Sequence, residues 1–80
     1  MSRDIVFKME NPYEHIKEGV EVTVEESKLQ GGLVVYYTII PAIAMSANFK
    51  KSQGLRNFKG IVKEVRPDGV AFYVTVTFEE

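Results

Sequence analysis

The sequence predicts an all-β domain, a small antiparallel meander of five to six strands forming a closed or partly open barrel, and three features predict it. First, Val70, Phe72, Val74, Val76 and Phe78 alternate with Ala71, Tyr73, Thr75, Thr77 and Glu79, a period of two that a strand with one buried face produces. Second, shorter alternations of the same kind recur upstream, separated by glycine and proline turn signals. Third, Val62 and Val65 stand an odd number of residues apart, so they share one face only if a bulge near Lys63-Glu64 bends the strand, as small barrels require. Arg66-Pro67-Asp68-Gly69 carries the residues of a tight turn and folds Ile61 to Arg66 back as a hairpin partner of the last strand.

The upstream elements follow in order. Ile5, Phe7 and Met9 alternate with Asp4, Val6, Lys8 and Glu10, a first strand over residues 4–9. Asn11-Pro12-Tyr13-Glu14 has a capping residue, proline at the first helical position and glutamate at the third, with Gly19 at a left-handed terminus; this spells either one short helix over residues 12–18, with Tyr13 and Ile16 inward, or a bare loop turning at Lys17-Glu18-Gly19. Val20, Val22 and Val24 alternate with Glu21, Thr23 and Glu25 in a second strand, and Gln30-Gly31-Gly32 supplies the positive φ values of the next turn. In Leu33 to Ile40 both parities are apolar, as in a strand covered on two sides, and Tyr36 and Tyr37 point to opposite faces. Beyond Pro41, Ile43, Met45, Ala47 and Phe49 alternate with Ala42, Ala44, Ser46 and Asn48; alanines after a proline also start helices, but the complete alternation favours a strand over residues 42–49. Lys50 to Lys59 has a central glycine and no period, and reads as a loop.

Eighty residues make one domain, residues 1–80, with a small core. The chain has no cysteine, so neither disulfides nor thiolate metal sites support it, which suits a reducing cytoplasm. The start, MSRDIVFKMEN, lacks a cationic stretch followed by a long apolar core and is not a secretory signal. Leu33 to Met45 is nearly all apolar and precedes Lys50-Lys51, but Gly31, Gly32, Pro41, Ser46 and Asn48 interrupt the window of about 20 residues that a spanning helix needs, and its β-branched residues favour strand. A soluble protein with no membrane partner is the expectation.

Charge is unevenly spread within a net of -1. Residues 1–26 hold seven acids against Arg3, Lys8 and Lys17, whereas residues 27–66 hold Lys28, Lys50, Lys51, Arg56, Lys59, Lys63 and Arg66 against Glu64 alone. Catalytic motifs are missing: there is no nucleophile elbow, zinc-binding HExxH or phosphate-binding glycine loop, so the chain reads as non-enzymatic, with no cofactor and no metal. The one histidine, His15, sits in an acidic segment and reads as a surface residue. Glu25-Glu26 and Glu79-Glu80 are sequence neighbours, which in a strand point to opposite faces, and solvated charge explains them.

One stretch stands out, FKKSQGLRNFKG at 49–60, with four cations, no acid and two phenylalanines. Single-stranded nucleic-acid sites combine cations that track phosphates with rings that stack on bases, which nominates Lys50, Lys51, Arg56, Phe58 and Lys59 as ligand-binding residues. The competing reading makes Phe49, Leu55 and Phe58 core anchors and the lysines solvated, and the pI of about 5.8 is lower than most nucleic-acid-binding domains show. The expected partner is single-stranded nucleic acid or a nucleotide; the alternative is a protein partner or a second subunit docked on a sheet edge or on the apolar surface around Tyr36 and Met45.

Phe58, Gly60, Val62, Val65, Val74, Val76 and Phe78 give an ending that resembles the last two strands of PilZ domains, six-stranded barrels that bind a cyclic dinucleotide. No paired arginine motif precedes the first strand. Glu25-Glu26-Ser27-Lys28-Leu29-Gln30-Gly31 departs from that family's Asp/Asn-x-Ser-x-x-Gly pattern in its first residue and by one residue before the glycine. The resemblance therefore implies no site residues here.

Overall fold

A computed structural model describes residues 2–11, 16–40 and 44–80. Among these residues seven strands form one antiparallel sheet: β1 (Ser2–Met9), β2 (Glu21–Leu29), β3 (Val34–Ile40), β4 (Ala44–Ser46), β5 (Phe49–Lys50), β6 (Lys59–Asp68) and β7 (Ala71–Glu79). The order is β2-β6-β7-β1-β4-β3-β5, and a further β2–β3 pairing closes six of the strands into a ring. The ring is not a regular barrel. β1 pairs with β7 over its whole length, but with β4 only from Phe7 to Met9, so on that side Ser2 to Val6 have no strand beside them among the described residues.

The inner face is built by the alternations. Ile5, Phe7 and Met9 of β1, Val22 and Val24 of β2, Val35, Tyr37 and Ile39 of β3, Val62 of β6 and Val74, Val76 and Phe78 of β7 are all buried in one cluster. The bulge falls where the odd spacing requires it: the β6–β7 register slips between Val62 and Glu64, so Val62 faces Val76 and Val65 faces Val74. Lys63 is the extra residue, and its ammonium reaches across β7 to Asp4 of β1, 3.0 Å away. Thr77 donates to the other oxygen of the same carboxylate at 2.7 Å, tying three strands together on the outer face.

The hairpin turn lies further along than the sequence suggested. Asp68 pairs with Ala71 and Pro67 with Phe72, so the loop is the two residues Gly69 and Val70, with φ +65 at Gly69. Proline is tolerated in β6 there because β2 pairs only with its start, leaving Pro67 on an edge. The shift also moves Val70 out of the inner face and into the loop, where it is 94% exposed; Phe72 is half-buried and packs on the core.

Two further expectations resolve differently from a uniform strand or helix. The alternation at 42–49 becomes two short strands, β4 and β5, separated at Ala47-Asn48, with Ala44 buried. The break has a local cause: the Tyr37 amide donates to the Ser46 hydroxyl at 2.9 Å, which turns to the Ala47 carbonyl. Residues Pro41, Ala42 and Ile43 lie outside the described residues. So do Pro12, Tyr13, Glu14 and His15 of the proposed helix; residues 16–18 are not helical and run into a turn with φ +85 at Gly19, and Ile16 is buried as expected. Among the described residues no helix is long and apolar enough to cross a membrane.

Gly60 is required for space. A Cβ there would sit 2.7 Å from Val76 Cγ1 and 2.8 Å from both Phe78 Cδ1 and the Thr77 carbonyl oxygen. Gly60→Ala should therefore lower the unfolding free energy by about 1–3 kcal/mol through overpacking, as read by urea denaturation. A stabilised variant, the usual result when only chain entropy changes, would contradict this packing.

The Thr77 hydroxyl, and then the Lys63 ammonium, hold the Asp4 carboxyl below its ordinary value of 3.8. A carboxyl lowered in the folded state contributes stability above its unfolded value, and that contribution disappears as pH falls through the folded one. Asp4→Asn should accordingly flatten the acid limb of the stability–pH curve, leaving its neutral part parallel to the parent's. An unchanged acid limb would remove Asp4 from the account.

Candidate functional site

The inner face of the sheet turns polar at one end of the ring. Along β2 the inward positions run Val22, Val24 and then Glu26, which lies opposite Tyr37 in the β2–β3 register. On β7 the inward Phe78 is followed two residues later by Glu80, and on β1 Arg3 lies opposite Phe78. The segment between β5 and β6, residues 51–58, crosses this end and pushes Leu55 into the core.

Tyr37 holds that segment in place. Its ring is fully buried between Phe49 and Phe58, with centroids 6.2 and 6.1 Å away. Its hydroxyl accepts the Leu55 amide at 2.6 Å and donates to Glu26 Oε1 at 2.9 Å. Burial, with the Glu26 carboxylate adding to it, pushes the phenol above its ordinary value, against the opposing effect of the Leu55 amide.

The nominated residues divide between the two sides of the sheet. Phe49, opposite the buried Val35, and Phe58 both turn inward against Tyr37, yet Phe58 remains 38% exposed. Lys51 is 3.5 Å from Glu26 Oε2. Arg56 is exposed, and its amide donates to Glu80 Oε2 at 3.1 Å; Asn57 Nδ2 donates to the Glu79 carbonyl. Lys50 faces outward opposite Val34, and Lys59 outward opposite Thr23. Val34 pairs with Leu29, so six residues of β2 separate the two levels, about 20 Å along the strand. The two lysines flank the cluster rather than join it.

Arg3 was not among the nominated residues. Its guanidinium lies over the Phe49 ring, 5.2 Å from the centroid, and Nη1 is 3.6 Å from Glu80 Oε1. Only the β1–β7 register brings it to the loop, and no local spacing in the sequence signals that. The sequence suggests solvated charge for Glu25-Glu26 and Glu79-Glu80, but the inward member of each pair, Glu26 and Glu80, meets the loop end.

A second feature lies on the outer face. Tyr73, Lys8 and Met45 form a cross-strand row over β7, β1 and β4, and a groove of about 700 Å³ runs there, lined by them with Val6, Glu10, Asn11, Ser46 and Ala47. Met45 is exposed as the apolar-surface reading requires, whereas Tyr36 is half-buried and outside the lining. Among the described residues no three His, Cys, Asp or Glu side chains gather as a metal site. No known family model matches the chain, and neither a curated protein nor a solved structure does.

Removing the Tyr37 hydroxyl isolates the role of this bond. Tyr37→Phe leaves the buried Leu55 amide without an acceptor, which costs about 1–3 kcal/mol, or a fall in Tm of at least about 5 °C for a domain of this size. A fall of less than about 1 °C in a thermal melt would show that the segment stays closed without it.

Proposed function

We propose that the chain is a small non-enzymatic binding module whose loop end contacts a phosphate-bearing partner, a nucleic-acid single strand or a nucleotide. The observation that carries this reading is that the cationic and amide donors gathered there already hold anionic oxygens: Arg3 and the Arg56 amide hold Glu80, and Lys51 holds Glu26. Guanidinium, ammonium and backbone N–H groups are the donors that phosphate oxygens take. Arg3, Lys51 and Arg56 outnumber Glu26 and Glu80 by one, so the end stays net positive. Half-exposed Phe58 offers a ring edge beside it, and the flanking Lys50 and Lys59 are reached together by a strand of several nucleotides, not by one nucleotide.

A second reading rests on the outer groove. Its exposed apolar residues, Val6 and Met45, beside the edge of Ser2 to Val6 that has no strand next to it among the described residues, suit a protein segment laid along the sheet. Ionic strength separates the two readings, because phosphate contacts weaken steeply with salt and apolar docking does not.

Replacing Lys50, Lys51, Arg56 and Lys59 together by Gln should leave Tm nearly unchanged, since all four are exposed and exposed pairs contribute little. The same change should flatten the slope of log K against log salt by up to about 3, at about 0.7 per phosphate contact on a single strand. Fluorescence anisotropy with fluorescein-labelled single-stranded DNA and RNA of mixed sequence measures this. An unaltered slope in the quadruple variant removes these cations from the interface.

A further inference from the structure

We propose that Glu80 is a built-in competitor for the phosphate-bearing partner: its carboxylate occupies the position a phosphate takes between Arg3 and the Arg56 amide, and the partner binds by displacing it. The inference rests on the functional reading above and adds the position of the ligand oxygen and a control on its affinity. Carboxylate and phosphate oxygens accept from the same donors, and here both carboxylate oxygens are engaged, Oε1 by Arg3 at 3.6 Å and Oε2 by the Arg56 amide at 3.1 Å.

The two acids at this end are held differently. Glu26 is anchored by the buried hydroxyl of Tyr37, whose other bond fixes Leu55, so displacing it would open the core. The contact of Glu80 with Arg56 lies in exposed surroundings, and its partner Arg3 is held independently over Phe49. Arg56 lies between Leu55, whose amide is bonded to Tyr37, and Asn57, whose Nδ2 donates to the Glu79 carbonyl, so Arg3 and the Arg56 amide keep their places when the carboxylate swings away. Binding then exchanges one anion for another, which makes the free-state contact a tax on affinity. A phosphodiester strand overcomes it through its additional contacts with Lys50, Lys51 and Lys59, whereas a mononucleotide has fewer contacts with which to do so.

The test compares the parent, Glu80→Gln and Glu18→Gln by anisotropy with the labelled single-stranded DNA at low salt, using an unlabelled nucleoside monophosphate as a competing arm. Glu18 is exposed in the turn before β2, so its variant carries the same change in net charge away from the loop end. Glu80→Gln should bind about tenfold more tightly than the parent, as expected for removing one charge a few ångströms from a phosphate at a protein surface, and the gain should shrink at higher salt. Glu18→Gln should stay within about twofold of the parent. Glu80→Asp, which keeps the charge but shortens its reach, should show a smaller gain, and it guards against a folding defect in the glutamine variant. In the parent, adding the oligonucleotide should shift the Arg56 amide resonance in an NMR titration.

Equal affinities for the parent and Glu80→Gln overturn the competitor role while leaving the functional reading standing. Equal gains in Glu80→Gln and Glu18→Gln also overturn it, by tracing the effect to net charge alone. No anisotropy change with any of the proteins overturns the functional reading together with the inference. Efficient competition by the mononucleotide assigns the phosphate site to a nucleotide rather than a strand.

Discussion

The hydroxyl of Tyr37 ties the segment between β5 and β6 to the β2–β3 ladder, accepting from the Leu55 amide and donating to Glu26, its partner in the register. A ring of six strands in so small a chain has open ends, and the segment between β5 and β6 covers one of them, held at its two ends by the bonds of the Lys51 amide to the Leu33 carbonyl and of the Val24 amide to the Phe58 carbonyl. Leu55 supplies the apolar cover, but its amide then needs an acceptor in a dry place. Tyr37 provides one at 2.6 Å while its ring fills the space between Phe49 and Phe58 and its proton goes to Glu26. The amide of the same residue bonds Ser46 where β4 breaks from β5, so one position sustains both the irregular wall and its cover.

The electrostatics of the loop end follow from that closure. Because Glu26 is fixed by a buried phenol, Lys51 has a carboxylate within 3.5 Å; because the cover brings Arg56 to the end of β7, Glu80 meets an amide and a guanidinium at once. At this end Lys51 and Arg3 each have a resident carboxylate, and the Arg56 amide shares that of Glu80. On the proposed reading, affinity for an external phosphate is set by how easily Glu80 leaves, since Glu26 is anchored by Tyr37.

Much of the fold was legible in the sequence because strand alternation and a single buried face are the same constraint. The odd spacing of Val62 and Val65 located the bulge, and Gln30-Gly31-Gly32 marked its turn, all three with positive φ. Alternation could not register where a side chain replaces a ladder bond, so residues 42–49 read as one strand although Ser46 breaks it. It also carried Val70 into the inner face, since period alone does not say where a two-residue loop begins. The candidate site was less legible. Parity sends Glu25 and Glu26, or Glu79 and Glu80, to opposite faces, but which of each pair faces a cation depends on the loop that crosses the ring. Arg3 is brought in only by long-range register, and its place over Phe49 leaves no trace in local spacing.

Amide hydrogen exchange at Leu55 tests the closure most directly, because that amide belongs to a loop and has no strand partner. With its bond to the buried Tyr37 hydroxyl intact, it should exchange within about tenfold of the slowest core-strand amides, opening only when the domain does. Exchange as fast as at the exposed neighbours Ser52 and Gln53 would mean that the segment opens on its own and that Tyr37 does not hold the end of the ring.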